Sequence, residues 1–231
     1  YNNVKIKNLK SKNPEINDII GIPNNPLIAN INWSPNQKNI AFTNTSSDGV
    51  RLWVLNLESR SLTKLTDLKL NSNIGDVINW VNDNEIIVKV IPENKQNLID
   101  QDGIVPMGPT ISSNEGENAQ NRTYQDLLKN KTDEFNFEQL VTSDLYLINL
   151  NGKTQKWLDA DMYTTISPSP DGNFIMVSNI KKPFSYIVTY GRFPRTTNIY
   201  NYEGKIISNL ANTPLIEELP QGFNAVFNGK R

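Results

Sequence analysis

The sequence predicts an all-β fold, and three observations lead to that prediction. Short runs of alternating apolar and polar residues recur along the 231-residue chain, and a two-residue period is typical of strands. Asn, Pro and Gly separate these runs where turns require them. Units of similar length also repeat along the chain, which indicates an architecture built from repeated β-sheets.

The first half of each repeat is a short apolar segment, a tight turn and a strand. It is found in INWSPNQKNIAFTN from residue 31, INWVNDNEIIVKVI from 78 and ISPSPDGNFIMVSN from 166. Pro35, Pro170 and Gly172 stand at turn positions that suit their backbone preferences. Trp33 and Trp80 recur 47 residues apart. Each unit is therefore expected to begin with a pair of strands.

The second half of each repeat is a strand, a polar turn and another strand. It is found in GVRLWVLNLESRSLTKLTD, SDLYLINLNGKTQKWLDA and TTNIYNYEGKIISNLAN. In VRLWVLNL both faces of the strand are apolar, which suits a sheet packed between two neighbouring sheets. Four strands per unit predict a partial β-propeller of about three complete blades and parts of two more.

Residues 1–231 are expected to form part of one propeller domain. The predicted blades are 27–68, 74–160 and 163–212. Residues 1–26 are expected to end an earlier blade, and 213–231 to begin a later one. Because an open arc leaves blade faces uncovered, the sequence predicts that the chain is part of a larger propeller.

The middle unit carries an insert at 92–141 that should be partly helical. Thr123–Asp126, with the sequence TYQD, has the form of a capping box ahead of Leu127 and Leu128. A second short helix is predicted through Phe135, Phe137 and Leu140. An insert between strands is expected on one face or the rim of the disc.

The composition excludes several kinds of site. The chain has no His and no Cys, so it cannot assemble a Ser-His-Asp or Cys-His arrangement or a usual zinc site. No metal site and no cofactor are expected. A net charge of −1 gives no basic footprint for nucleic acid, and no apolar run is long enough to span a membrane.

Three segments resemble the glutamyl endopeptidases, serine peptidases of the prolyl oligopeptidase clan. They are GPTISSNEGENAQNRTYQDLLKN from residue 108, SPSPDGNFIMVSNIKKPFSYIVTYGRFPRTTNIYNYEGK from 167 and PLIEELPQGFNAVFNGKR from 214. The resemblance implies a propeller that caps a C-terminal α/β-hydrolase domain of the same polypeptide. It also implies a peptide substrate, cleaved after Glu, and a gating role for the propeller.

No catalytic residue is predicted within this chain. Enzymes of this kind place their nucleophile in a G-x-S-x-G turn, and no such turn occurs here. Because His is also absent, the catalytic domain is not expected in these residues. The parent polypeptide is predicted to be the enzyme, and this chain its non-catalytic propeller portion.

A pocket that prefers Glu needs a cation, and Arg suits a carboxylate best. Arg192 and Arg195 lie in GRFPR, where Gly191 and Pro194 mark a turn. Together with Arg122 they are the candidate substrate-binding residues. The alternatives are an exposed turn with a surface ion pair for the first two and a structural contact at the insert for Arg122.

Two groups of aromatic residues are expected to be structural. Tyr186 and Tyr190 are predicted to pack within a blade rather than bind a ligand. Core packing is expected for at least three of Trp33, Trp53, Trp80 and Trp157, since they occupy repeat positions.

A function of a different class also fits the sequence. The chain could belong to a stand-alone or scaffold propeller whose insert recruits another protein. The compartment stays open, with a soluble protein of the bacterial periplasm or exterior as one expectation.

Overall fold

The computed structural model of the chain describes residues 1–7, 9, 12, 15–100 and 127–217. Over these ranges the chain forms fourteen strands, one α-helix and one turn of 3-10 helix. Twelve of the strands form three four-stranded antiparallel sheets. The predicted all-β fold is confirmed.

The strands follow one another along the chain in simple order. The first two, β1 (Ile6–Lys7) and β2 (Ile16–Asn17), form a small antiparallel sheet. Blade 1 consists of β3 (Ile28–Trp33), β4 (Asn39–Ser46), β5 (Gly49–Asn56) and β6 (Ser61–Lys64). Blade 2 consists of β7 (Ile78–Asn82), β8 (Glu85–Val90), β9 (Ser143–Asn149) and β10 (Thr154–Asp161). Blade 3 consists of β11 (Tyr163–Pro168), β12 (Phe174–Ile180), β13 (Arg195–Asn201) and β14 (Ile206–Thr213).

In blades 1 and 3 the turn after the first strand is closed by a serine. In blade 3 the Ser169 hydroxyl accepts the Phe174 amide at 3.1 Å, and Gly172 donates its amide to the Ser169 carbonyl at 2.9 Å. Gly172 has φ +70°, a conformation that glycine adopts without steric cost. In blade 1 the Ser34 hydroxyl accepts the Asn39 amide at 2.9 Å. The repeated sequence pattern thus forms the same turn in both blades.

The three sheets pack face to face in chain order. Strand β7 contacts both β3 and β11, so the first strands of the blades lie next to one another. Between blades 1 and 2 lies an apolar core that includes Ala41, Leu52, Ile78, Trp80 and Val88. Between blades 2 and 3 lies a second core that includes Ile87, Leu145, Trp157, Tyr163 and Ile175. This arrangement is a partial β-propeller, as predicted.

The tryptophans differ in their environments. Trp80 and Trp157 are buried, and Trp53 packs against the core on the outer side of blade 1. Trp33, at the end of β3, is 52% exposed and is the exception. Its position in the repeat did not distinguish it, because burial depends on whether a neighbouring sheet covers that end of the strand.

The proposed blade boundaries remain predictions. Residues 1–26 contain β1 and β2, and Ile20 also forms a parallel bridge with Ser61 of blade 1. Residues 218–231 lie outside the described residues, as does the predicted capping box at 123–126. Leu127 and Leu128 are described and are not helical. The helix predicted through Phe135, Phe137 and Leu140 is confirmed as α1 (Lys131–Val141).

Candidate functional site

A small apolar cluster lies outside the sheets, where the connections between strands meet. We call it the loop cluster. Its buried members are Ile74, Val141, Met162, Ile180, Phe184, Val188 and Phe193, with Leu128, Phe137 and Leu215 packed against them. The members come from α1, from Ile180 at the end of β12, and from connections before, within and after blades 2 and 3. The cluster therefore joins the insert to one face of the arc.

Helix α1 begins with a local capping interaction. The side chain of Asn130 accepts the amide of Asp133 at 2.8 Å, and Asp133 and Glu134 place negative charge in the first turn. Within the loop cluster, Phe137 of α1 contacts Phe184 and Phe193 edge to face, at centroid distances of 5.2 and 5.7 Å. The helix is thereby fixed against the connection between β12 and β13.

The carboxyl end of α1 is held by two asparagines that precede blade 2. The side-chain nitrogen (Nδ2) of Asn71 donates to the backbone carbonyls of Leu140 and Thr142, both at 2.9 Å. Asn73 donates to the Leu140 carbonyl at 2.9 Å. Helix ends leave carbonyls without partners inside the helix, so these side chains both satisfy the helix end and fix its position.

Charged and polar contacts connect α1 to the connection between β12 and β13. The Tyr186 hydroxyl donates to Glu134 at 2.6 Å, which raises the pKa of Tyr186. Lys182 forms an ion pair with Glu138 at 2.7 Å. Tyr186 was expected to pack within a blade and instead lies in this connection, outside the sheets. Together with the aromatic contacts, these pairs hold the two segments together.

An open pocket of about 530 Å³ lies beside the loop cluster. Its walls come from the segment before β7, from β11 and from the end of the connection between β12 and β13. The lining residues are Ile74, Gly75, Thr164, Thr165, Thr189, Tyr190, Gly191 and Arg195. Tyr190, the second tyrosine expected to pack within a blade, lines this pocket and is 48% exposed. We take this pocket as the candidate functional site.

The structure places the predicted residue Arg195 in the wall of this pocket. It is the first residue of β13, paired with Ile180 and Thr213 on the neighbouring strands. Its Nη2 donates to the Tyr190 carbonyl at 3.4 Å. Its Nε is buried and has no hydrogen-bond partner among the described residues. A guanidinium group in a pocket wall can bind an anion through its terminal nitrogens, whereas the buried Nε is not accessible from the pocket.

The other two predicted residues are placed differently. Arg192 ends the 3-10 turn Tyr190–Arg192 and is half-buried. Its backbone carbonyl accepts the amide of Ile216 at 3.1 Å, and its side chain is not part of the pocket wall. Arg122 lies outside the described residues. Of the three arginines, Arg195 alone is brought to the pocket within the described part of the chain.

Lys89 is a residue near the pocket that sequence reasoning missed. It lies on β8, is 1% exposed, and donates through Nζ to the Ile74 carbonyl. Burial lowers the pKa of Lys89 to about 8, and the charge of Asp76 opposes this shift. The signal was a lysine inside the apolar run IIVKVI, because such a run predicts a strand buried on both faces.

The described residues contain no group of three or more acidic side chains placed to hold a metal ion. Among the same residues, no helix is long and apolar enough to cross a membrane.

No family model matches the sequence. The chain is 36% identical over 221 residues to a protein named "Probable glutamyl endopeptidase, chloroplastic" from Oryza sativa subsp. japonica. It is 32% identical over 223 residues to a protein of the same name from Arabidopsis thaliana. These alignments cover 91% and 93% of this chain. The chain spans 23% of the length of each relative.

A solved prolyl endopeptidase structure matches with a TM-score of 0.48 and 12% identity, over 87% of this chain and 25% of that one. The relationship to known proteins rests on the sequence alignments with the plant proteins, because they extend over nearly the whole chain. Nearly the whole chain is therefore homologous to one portion of the two plant proteins named probable glutamyl endopeptidase, the family that its motifs resemble.

Proposed function

We propose that this chain is the propeller segment of a serine peptidase that hydrolyses peptides after Glu. In this proposal the chain gates the substrate cavity and forms part of its wall, while an α/β-hydrolase domain of the same polypeptide performs the chemistry. The observation that carries the proposal is the similarity of nearly the whole chain to proteins named glutamyl endopeptidase.

The division of labour follows from the residues present. Acyl transfer by serine needs a base that accepts the hydroxyl proton, and the chain contains no His. The propeller would contribute by closing the site to water and by orienting the peptide. The face that carries the loop cluster fits this role, because insert and connections are held there by specific contacts.

The pocket offers a contact for the substrate carboxylate, because Arg195 contributes a guanidinium group to its wall. Charge-assisted hydrogen bonds to carboxylates are among the stronger polar contacts in proteins. We assign substrate recognition to Arg195 first, and to Arg192 and Arg122 as further contacts from the same loop and from the insert.

The test uses the full-length polypeptide that carries this segment. Peptides that differ only in Glu, Gln or Ala at the cleaved position are assayed, and a fluorophosphonate probe reports a reactive serine. We expect labelling and cleavage after Glu. The Arg195→Met variant should lower kcat/KM on the Glu peptide by about 10- to 100-fold, the effect of losing one charged hydrogen bond. The same variant should lower kcat/KM on the Gln peptide much less.

Arg60→Met is the matched control, since Arg60 is exposed and contacts Asn17 at the N-terminal sheet. This variant should cleave both peptides as the wild type does. Absence of both labelling and cleavage would contradict the peptidase proposal and favour the binding propeller instead.

A further inference from the structure

The buried lysine of β8 has an unusual set of partners. Lys89 is 1% exposed, and its ammonium donates to one backbone carbonyl, that of Ile74. No carboxylate among the described residues lies within 4.0 Å of its Nζ. Buried ammonium groups are normally paired with a negative charge, because removing them from water is unfavourable. The charge of Lys89 is therefore not neutralised by a paired carboxylate among the described residues.

The ammonium lies directly behind the wall of the candidate pocket. Ile74, Gly75 and Thr164 line that pocket. A methyl group added at Gly75 would lie 3.5 Å from the Lys89 Nζ and would overlap the carbonyl oxygen of Thr164. One layer of backbone thus separates the charge from the pocket, and the missing side chain at Gly75 keeps this layer thin.

The pocket wall combines cationic groups with neutral ones. Arg195 contributes a guanidinium group, and three threonines also line the wall. The acidic residue that acts on Lys89 electrostatically is Asp76, which is exposed on the segment before β7. Lys89 and Arg195 thus place two cationic side chains at this wall, and we expect them to favour an anionic ligand.

We propose that Lys89 and Arg195 together make this pocket a carboxylate site, and that Lys89 determines its preference for Glu over Gln. The inference rests on the proposed function for the identity of the ligand, a peptide Glu side chain. Arg195 would donate hydrogen bonds to the carboxylate. Lys89 acts through the thin wall by its charge, which is weakly screened where water is excluded. Lys89 is accordingly a positioning residue and does not touch the reacting atoms.

The experiment measures binding rather than turnover. Acetyl-Glu-amide and acetyl-Gln-amide are titrated into the full-length polypeptide by calorimetry, and the ratio of their Kd values is the readout. We expect the wild type to prefer the Glu probe. Lys89→Met should reduce this ratio by about 5- to 10-fold, as for the loss of one partly screened charge interaction. Lys89→Arg should restore part of it.

Two further variants separate a local effect from a general one. Lys38→Met removes one positive charge from an exposed turn at the other end of the blades, and it should leave the ratio unchanged. Asp76→Asn removes the competing carboxylate, and it should raise the affinity for the Glu probe. Thermal unfolding of each variant shows that the fold is kept.

The inference is overturned if Lys89→Met keeps the wild-type ratio while remaining folded. It is also overturned if acetyl-alanine, whose only carboxylate is the terminal one, binds more tightly than acetyl-Glu-amide. Failure of the peptidase proposal is distinct. If the Glu probe binds in a Lys89-dependent manner while no peptide is cleaved, the carboxylate site stands and the peptidase proposal fails.

Discussion

The indole nitrogen of Trp157 donates a hydrogen bond to the backbone carbonyl of Tyr202 at 2.8 Å, and this bond connects blade 2 to blade 3. The Trp80 indole connects blade 2 to blade 1 in the same way, through the Asn32 carbonyl at 3.3 Å. The central blade is thus attached on both sides by a tryptophan whose ring is also buried in the core between blades.

The Trp157→Phe substitution should lower the free energy of unfolding by about 1–3 kcal/mol. It removes the hydrogen bond and part of a buried ring, and it leaves the Tyr202 carbonyl without this partner. Urea unfolding followed by circular dichroism measures the change. Trp33→Phe is the control, because Trp33 is 52% exposed, and it should change stability by less than about 0.5 kcal/mol. Equal effects of the two substitutions would contradict this account.

Removal of the Lys89 ammonium should stabilise the fold and change its pH dependence. The pKa of Lys89 is about 8 in the folded chain, below the ordinary value of 10.5. Below pH 8 the lysine is charged in both states, so the cost of burying the charge is fully present. Between about pH 8 and 10.5 the unfolded chain binds more protons, and the free energy of unfolding rises with pH.

Lys89→Met should therefore be more stable than the wild type at pH 7, by up to about 3 kcal/mol, less the contribution of the contact with the Ile74 carbonyl. The advantage should shrink as the pH rises from 8 to 10.5. Urea unfolding at several pH values measures the difference between the two proteins, in which other titrating groups cancel. If the difference in free energy of unfolding stayed constant from pH 8 to 10.5, the pKa of Lys89 in the folded chain would not be lowered, and this account would be wrong.

The Gly75→Ala substitution should destabilise the chain by about 2–4 kcal/mol. Gly75 has φ +57°, which disfavours a side chain, and a methyl group there would overlap the Thr164 carbonyl oxygen. Thermal unfolding tests this. Gly191→Ala is the matched control from the same pocket, since the nearest atom to its added methyl group is the Thr189 hydroxyl at 3.8 Å. A Gly75→Ala protein as stable as the wild type would mean that the backbone between Lys89 and the pocket shifts to make room for the methyl group.

The Asn71→Ala substitution should loosen α1 without unfolding the blades. Asn71 is 2% exposed and donates to two carbonyls at the end of the helix. Its loss should cost about 2 kcal/mol locally, and amide hydrogen exchange within Lys131–Val141 should become faster. Asn73→Ala removes one bond from an exposed position and should have a smaller effect. Unchanged exchange in α1 would show that the aromatic contacts alone hold the helix.

The blades could be predicted from the sequence because their signals are local. The turn around Ser169 and Gly172 uses residues that specify it directly, and the two apolar faces of β5 indicated a sheet between two neighbours. Helix α1 was predictable from spacing, although its place on the loop cluster was not. That place depends on Asn71 and Phe184, which are far from the helix in sequence.

The candidate site was only partly predictable. The motif GRFPR supplied Arg195 as a candidate, the structure places it in a pocket wall, and its role in substrate binding stays a prediction. Lys89 was missed, because the approach of Gly75 to its ammonium depends on how the segment before β7 packs against β11. The close approach of Gly75 to Thr164 joins residues from different blades, and the strand pattern of a single blade does not encode it.

The long connection inside blade 2 has a consequence for how the chain folds. In blade 1, β4 and β5 are separated by residues 47–48, whereas β8 and β9 are separated by residues 91–142. Closing the longer loop costs on the order of 2–3 kcal/mol more in chain entropy. On refolding of the complete chain, blade 2 has this larger entropic cost to overcome and blades 1 and 3 do not. The middle of the arc should therefore consolidate last on refolding, and refolding rates should respond most to changes in loop length there.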